Sequence, residues 1–196
     1  VIGEPIQQGF GALKPPAEYW PIVSNLCDRY GILLVIDEVI CGFGRTGTMF
    51  ATEQFDVHPD MITMAKGITS GYIPLGAVGC TDRVMEPIDI FNHLHTYGNH
   101  PVPCAVGIRN LEIIQEEKLV QNSASMGEYF LDGLRSLNHH PSVGEVRGTG
   151  LWLAIDFTTD RKTRAPFPAA NLLSMVARAK NKGIIIKMMG MALEFA

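Results

Sequence analysis

Residues 32–47 read ILLVIDEVICGFGRTG. The run Ile32 to Ile36 is continuously apolar and ends on the acidic pair Asp37–Glu38. An apolar run of that length, closed by turn residues, is the pattern of a strand buried on both faces of a parallel sheet. Upstream, AEYWPIVSNLCDRYG (17–31) carries apolar residues near helical spacing and stops on Gly31, with Pro21 tolerable only in the first turn. Val1–Ile2 reads as the tail of an earlier strand. Downstream, Gly42 to Gly47 form a loop, MITMA (61–65) a short strand and LGAVGCT (75–81) another.

From about Pro101 the period changes. CAVGIRNLEIIQEE and ASMGEYFLDGLRSL read as two long helices. VGEVRGTGLWLAIDF (143–157) reads as a strand pair turning at Gly148 and Gly150. Residues 160–168 form a polar loop, 169–182 a helix, and GIIIKM (183–188) a last strand. The order predicts an α/β fold, with part of a large, mostly parallel sheet domain over 1–100. A linking helix and part of a smaller α+β domain follow over 101–196.

The 196 residues are 46% hydrophobic and 18% charged, which suits a globular chain with a real core. A net charge of −4 shows no basic excess, so nucleic acid is not an expected partner. No apolar run approaches the ~20 residues of a membrane span, and residues 1–20 lack the features of a signal peptide. Cys27, Cys41, Cys80 and Cys104 are widely spaced without a C-x-x-C, which favours free thiols in a reducing, cytoplasmic compartment. The chain opens on VIGEP and stops at MALEFA in mid-pattern, and reads as a piece of a longer protein.

MITMAKGITSGYIPLGAV (61–78) places Lys66 directly after one apolar run, as Asp37 follows another. Ligands of open α/β sheets sit beyond the carboxyl ends of parallel strands. If the two strands are neighbours, their backbones lie about 4.8 Å apart, and a planar heteroaromatic ring could meet Asp37 at one end and Lys66 near the other. That is what pyridoxal phosphate chemistry needs. The lysine forms a Schiff base with the cofactor aldehyde and later moves a proton as general base and acid, while the aspartate keeps the ring nitrogen protonated. Val39, two residues on, would pack on the ring face if the strand continues.

Other readings compete. A lysine after a strand is by default a solvated residue, and Asp37–Glu38 could ligate a metal or cap a turn. GFGRTG (42–47) is literally G-x-G-x-x-G. A dinucleotide site there is rejected, because Asp37 and Glu38 would repel a pyrophosphate and no amphipathic helix follows. His93, His95 and His100 cluster in NHLHTYGNHP, but loop polarity accounts for them better than a metal, and no metal is expected. Thr96 is by default a turn residue.

Taken together, EPIQQGFGALKPP, LCDRYGILLVIDEVICGFGRTG, PDMITMAKGITSGYIPLGAV, HTYGNHPVPCAVGIRNLEII and VRGTGLWLAI resemble the class III aminotransferases, the omega-aminotransferase subgroup of fold-type I pyridoxal-phosphate enzymes. The matching stretches cover nearly all of the chain in family order. The resemblance implies pyridoxal 5'-phosphate as cofactor, Lys66 as the Schiff-base lysine, Asp37 at the ring nitrogen and Val39 on the ring. It also implies that Thr96 reaches the cofactor phosphate of the neighbouring subunit in a homodimer, and that Glu4 hydrogen-bonds around the cofactor and Asp37. The implied reaction moves an amino group from a primary amine or omega-amino acid to a 2-oxo acid, pyruvate foremost. A decarboxylase or aminomutase of the same family, or a non-catalytic scaffold, is the alternative. Gly9 stands where ornithine and 4-aminobutyrate members carry a glutamate, and Ile40 replaces a glutamine many members place against the cofactor. The family's amino-terminal half is not represented, so the piece alone is expected to be inactive.

Overall fold

The computed structural model describes residues 1–90, 92 and 95–195, so His93 lies outside the described residues. The chain divides into two units. The first comprises Val1–Pro5, Pro15–Gly44 and Thr48–Val120; the second comprises Ile6–Lys14, Arg45–Gly47 and Gln121–Ala196.

The first unit is built on strands β1 (Ile2–Gly3), β2 (Val35–Asp37), β3 (Met61–Met64) and β4 (Ala77–Cys80), in that spatial order. β1, β2 and β3 run parallel, and β4 returns antiparallel to β3. Helix α1 (Tyr19–Tyr30) connects β1 to β2. It ends as its sequence predicts, with Gly31 left-handed at φ 64° and bonded back to the last turn. Buried Trp20 fixes it on the sheet. Its Nε1 donates to the Pro5 carbonyl at 3.1 Å. Its ring also lies where only glycine leaves room, since a Cβ on Gly3 would stand 2.9 Å from Trp20 Cη2. α2 (Asp82–Met85) is a single turn, and α3 (Pro101–Glu116) is the first of the two long helices.

The strand expected over 32–36 is displaced to Val35–Asp37. Ile32 bonds back to Cys27 of α1, and the Leu34 N–H is taken by the Asp60 carboxylate at 2.8 Å instead of by a neighbouring strand. Ile32 and Leu33 are exposed, so only the end of the apolar run is buried as sheet.

The second unit holds most of α4 (Leu119–Arg135) and an antiparallel sheet. Its strands are β5 (Val143–Thr149), β6 (Trp152–Asp160), β8 (Lys187–Met189) and β9 (Ala192–Phe195), ordered β5-β6-β9-β8. The two-residue β7 (Ala165–Pro166) pairs with β6, and α5 (Ala169–Asn181) follows it. The expected hairpin forms with Thr149 opposite Trp152, so Gly150 and Leu151 make the turn. The core gathers Val143, Ile155, Phe157, Leu172 and Leu193, with Leu134 of α4 and Met175 of α5 packed against it. Removing that apolar surface from water stabilises the unit by about 25 cal/mol per Å².

The last strand expected over 183–188 lies elsewhere. Ile185 is almost fully exposed, β8 begins at Lys187, and a further strand, β9, pairs between β6 and β8. No helix of the described residues is long and apolar enough to cross a membrane. None of the four cysteines forms a disulfide; Cys27 and Cys41 are buried, Cys80 and Cys104 exposed.

Candidate active site

β2 and β3 are neighbours and parallel, so both leave the sheet at the same end. Asp37 is the last residue of β2 and pairs with Thr63 of β3. Residues paired across strands share a face, so Asp37 and Thr63 point the same way. Gly3 of β1 pairs with Ile36, which brings Glu4, one residue on, to the level of Asp37. Asp37 Oδ1 accepts the Val39 N–H at 3.0 Å. Thr63 Oγ1 is buried and lacks a partner among the described residues.

Lys66 follows β3 after one residue and opens a short 3-10 turn, Lys66–Ile68. Its φ of 42° is left-handed, a conformation costing on the order of 1 kcal/mol for a residue with a Cβ. The turn is held from outside. Asn110 of α3 donates through Nδ2 to the Gly67 carbonyl at 2.9 Å and the Ile68 carbonyl at 3.2 Å. Its Oδ1 accepts from Ser70 Oγ at 2.7 Å.

Lys66 lines a cleft of about 710 Å³ with Thr69, Pro74, His95, Tyr97 and His100 among its walls. Thr96 sits exposed in the turn between His95 and Asn99, and its neighbours line the cleft. The start of α3 also borders it but offers no spare donor. Pro101 and Pro103 have no N–H, and the Val102 N–H is taken by His100 Nδ1 at 3.2 Å.

One expectation needs correction. Val39 does not share the face of Asp37 by strand alternation, because β2 stops at Asp37 and Val39 lies in the following turn. The Asp37–Val39 hydrogen bond, of the Asx-turn kind, ends the strand there.

The second acid of the pair has a role the sequence left open between ligation and capping. Glu38 is completely buried. Its Oε1 and Oε2 accept the N–H groups of Thr52 at 2.8 Å and Ala51 at 3.1 Å, at the start of the 3-10 turn Ala51–Phe55. Burial pushes its carboxyl above the usual range, and these two N–H bonds pull it partly back. GFGRTG leads into this turn region and not into an α-helix, so it lacks the helix a dinucleotide loop requires.

Asn110 carried no signal in the sequence, because nothing in LEII and its surroundings marks an amide that grips a turn more than forty residues upstream. Glu38 carried a weak one, as an acid inside an otherwise apolar stretch.

Lys66 lines a cleft, and at the neighbouring strand ends Asp37 pairs with Thr63, whose buried hydroxyl is unpartnered among the described residues; an amine and a carboxylate of this kind suit a phosphorylated pyridine aldehyde. The model of the family described as aminotransferase class-III matches residues 1–195, and the chain belongs to that family. Its members depend on pyridoxal 5'-phosphate and share the fold-type I architecture. An uncharacterised aminotransferase of Bacillus subtilis (strain 168) is 46% identical over 192 residues, covering 95% of this chain and 43% of that protein. The taurine–pyruvate aminotransferase of Bilophila wadsworthia is 42% identical over 195 residues, with 95% and 43% covered. A solved Bacillus anthracis aminotransferase superposes with a TM-score of 0.96 at 42% identity, covering 100% of this chain and 46% of that one. The chain thus spans less than half the length of these relatives.

Proposed function

We propose that the protein carrying this chain is a pyridoxal-phosphate-dependent transaminase. It takes an amino group from a primary amine or omega-amino acid and gives it to a 2-oxo acid, with pyruvate preferred. The reading rests above all on Lys66, held left-handed at the exit of β3 beside Asp37 at the exit of the neighbouring parallel strand. Family membership and the pyruvate-using relative support it.

When bound, the cofactor supplies an electron sink for charge developing on the substrate carbon. Lys66 Nζ is the amine that would hold the cofactor covalently, and, when free, it would carry the substrate-carbon proton as general base and acid. Asp37 would pair with the ring nitrogen and keep it protonated, Val39 would pack on the ring, and Glu4 would hydrogen-bond around the cofactor and Asp37. The Thr96 hydroxyl would donate to the phosphate held by a second copy of the protein, in a homodimer. Cysteines outside any disulfide suit a reducing cytoplasm.

The test is covalent mapping. Borohydride reduction of the protein loaded with pyridoxal phosphate is expected to label Lys66 alone, read by peptide mass spectrometry. A label on another lysine overturns the assignment. Acceptor preference is read separately: alanine should form from pyruvate faster than glutamate forms from 2-oxoglutarate, with one amine donor in common.

A further inference from the structure

We propose that Glu38 is a positioning residue whose buried carboxylate braces the 38–55 segment and so holds both Asp37 and Lys66 in place. This rests on the reading of Asp37 and Lys66 given above.

Glu38 is tied down through both its backbone and its carboxylate. Its N–H donates to the Thr63 carbonyl of β3 at 3.0 Å, and its own carbonyl accepts the Gly42 N–H at 2.9 Å. Its two carboxylate oxygens take the N–H groups of Ala51 and Thr52. The loop leaving Asp37 is thereby tied to β3 on one side and to the 51–55 turn on the other.

The turn carries the restraint onward. Phe50, immediately before it, has its N–H taken by Glu53 Oε1 at 2.7 Å. The Phe50 ring meets the Phe43 ring edge-on, with centroids 5.5 Å apart and planes at 64°. Phe43 in turn lies against Gly67: a Cβ at that glycine would be 3.0 Å from Phe43 Cβ and 3.1 Å from Cδ2. Gly67 follows Lys66 as Glu38 follows Asp37. The brace therefore bears on the residue next to each proposed cofactor-binding group.

A carboxylate is the group this arrangement needs. Its two backbone partners are N–H donors and the Thr52 side chain bonds to it as well; only a side chain with two acceptor oxygens satisfies both N–H groups together, since an amide would turn its NH2 toward one of them. A fully buried carboxylate is a costly way to gain stability, and burial pushes its pKa up while the bonds from Thr52 and Ala51 pull it down. Geometry is the better account of its presence. Displacements of about 1 Å at a reacting group can cost on the order of 10²-fold in rate.

The test uses the protein loaded with pyridoxal phosphate. Glu38→Gln, Asp37→Asn and the double variant are titrated with pH while the visible cofactor band is followed, and cofactor dissociation is measured alongside. Glu38→Gln is expected to move the band midpoint in the same direction as Asp37→Asn, and to weaken cofactor binding about tenfold, equivalent to one pH unit of interaction. In the double variant the part of its shift that passes through Asp37 should be lost and only the part that passes through Lys66 should remain, so the two shifts sum to less than their total. Ile114→Val, at a buried position near the end of α3, controls for lost stability and should leave the midpoint unmoved. If Glu38→Gln does not fold, Phe43→Leu loosens the brace at its other end and is expected to move the band. A midpoint unchanged in every foldable brace variant, or shifts that add fully in the double variant, overturn the proposal. Borohydride labelling of the same preparations separates the two failures. Lys66 labelled with an unmoved band sinks the brace alone, whereas a label elsewhere sinks the reading of the site.

Discussion

Asp37 and Glu38 are adjacent carboxylates with opposite surroundings. One is half-buried and accepts the N–H of Val39, and the other is fully buried and accepts the N–H groups of Ala51 and Thr52. Asp37→Asn keeps an acceptor for the Val39 N–H, so folding should change little. Transamination should fall by at least about 10²-fold, since a neutral amide cannot hold the ring nitrogen protonated. Single-turnover rates on the loaded protein check this, and wild-type rates would make Asp37 structural only. Glu38 has a pH signature. Burial raises its pKa in the folded state above the ordinary 4.5, so the folded protein holds that proton more tightly than the unfolded chain. The associated stability is present below pH 4.5 and is lost as pH rises through the folded value. The stability of wild type relative to Glu38→Gln should therefore decline from pH 4.5 toward neutrality in denaturant titrations. A difference that grows with pH would mean that the Ala51 and Thr52 N–H bonds outweigh burial.

Two elements carry most of the placement. The Lys66 turn is strained at φ 42° and is held by Asn110 from α3. Asn110→Ala removes the side-chain donor to two carbonyls and the acceptor of Ser70, and should destabilise the protein by about 1–3 kcal/mol. Hydrogen exchange at Gly67 to Ser70 should quicken at the same time; unchanged protection would show that the turn holds itself. β1 is the other element. A methyl on Gly3 would press on Trp20 Cη2 at 2.9 Å, so Gly3→Ala should cost about 1–3 kcal/mol in unfolding measurements.

At the scale of the whole molecule the questions concern partners. β1 lies at one edge of the sheet of residues 1–196, with its Ile2 and the preceding Val1 exposed. A bare edge with apolar side chains invites pairing with other chains. Residues 1–196 expressed alone should self-associate at micromolar concentration and show no transaminase activity, by light scattering and an amine:pyruvate assay. A monodisperse, active chain would contradict this. The proposed homodimer is tested by mixing Lys66→Ala with Thr96→Ala protein under subunit exchange. If Thr96 serves its partner's cofactor, mixed dimers carry both lesions at one site. Random exchange then restores about a quarter of the wild-type sites. Proven exchange without recovery would place Thr96 in its own subunit's site or in none.

The apolar runs before Asp37 and Lys66, the Gly31 stop of α1 and the strand pair over 143–157 were legible in the sequence, because each depends on local period and turn chemistry; the turn itself lies at Gly150–Leu151, with Gly148 paired inside β5. So was the family, through motifs spread along the chain in order. Tertiary structure decided the rest. It set β2 at Val35–Asp37 and not at 32–36, because the Leu34 N–H is claimed by Asp60, far along the chain. It added β9, whose ALEF pattern finds its meaning only between β6 and β8, where Glu194 is buried against the Trp152 indole N–H. It gave Glu38 and Asn110 their partners across loops too long for any sequence period to report. Local chemistry determines where the chain turns and which residue ends each strand. Which distant donor meets which acceptor is settled only when the strands and helices pack.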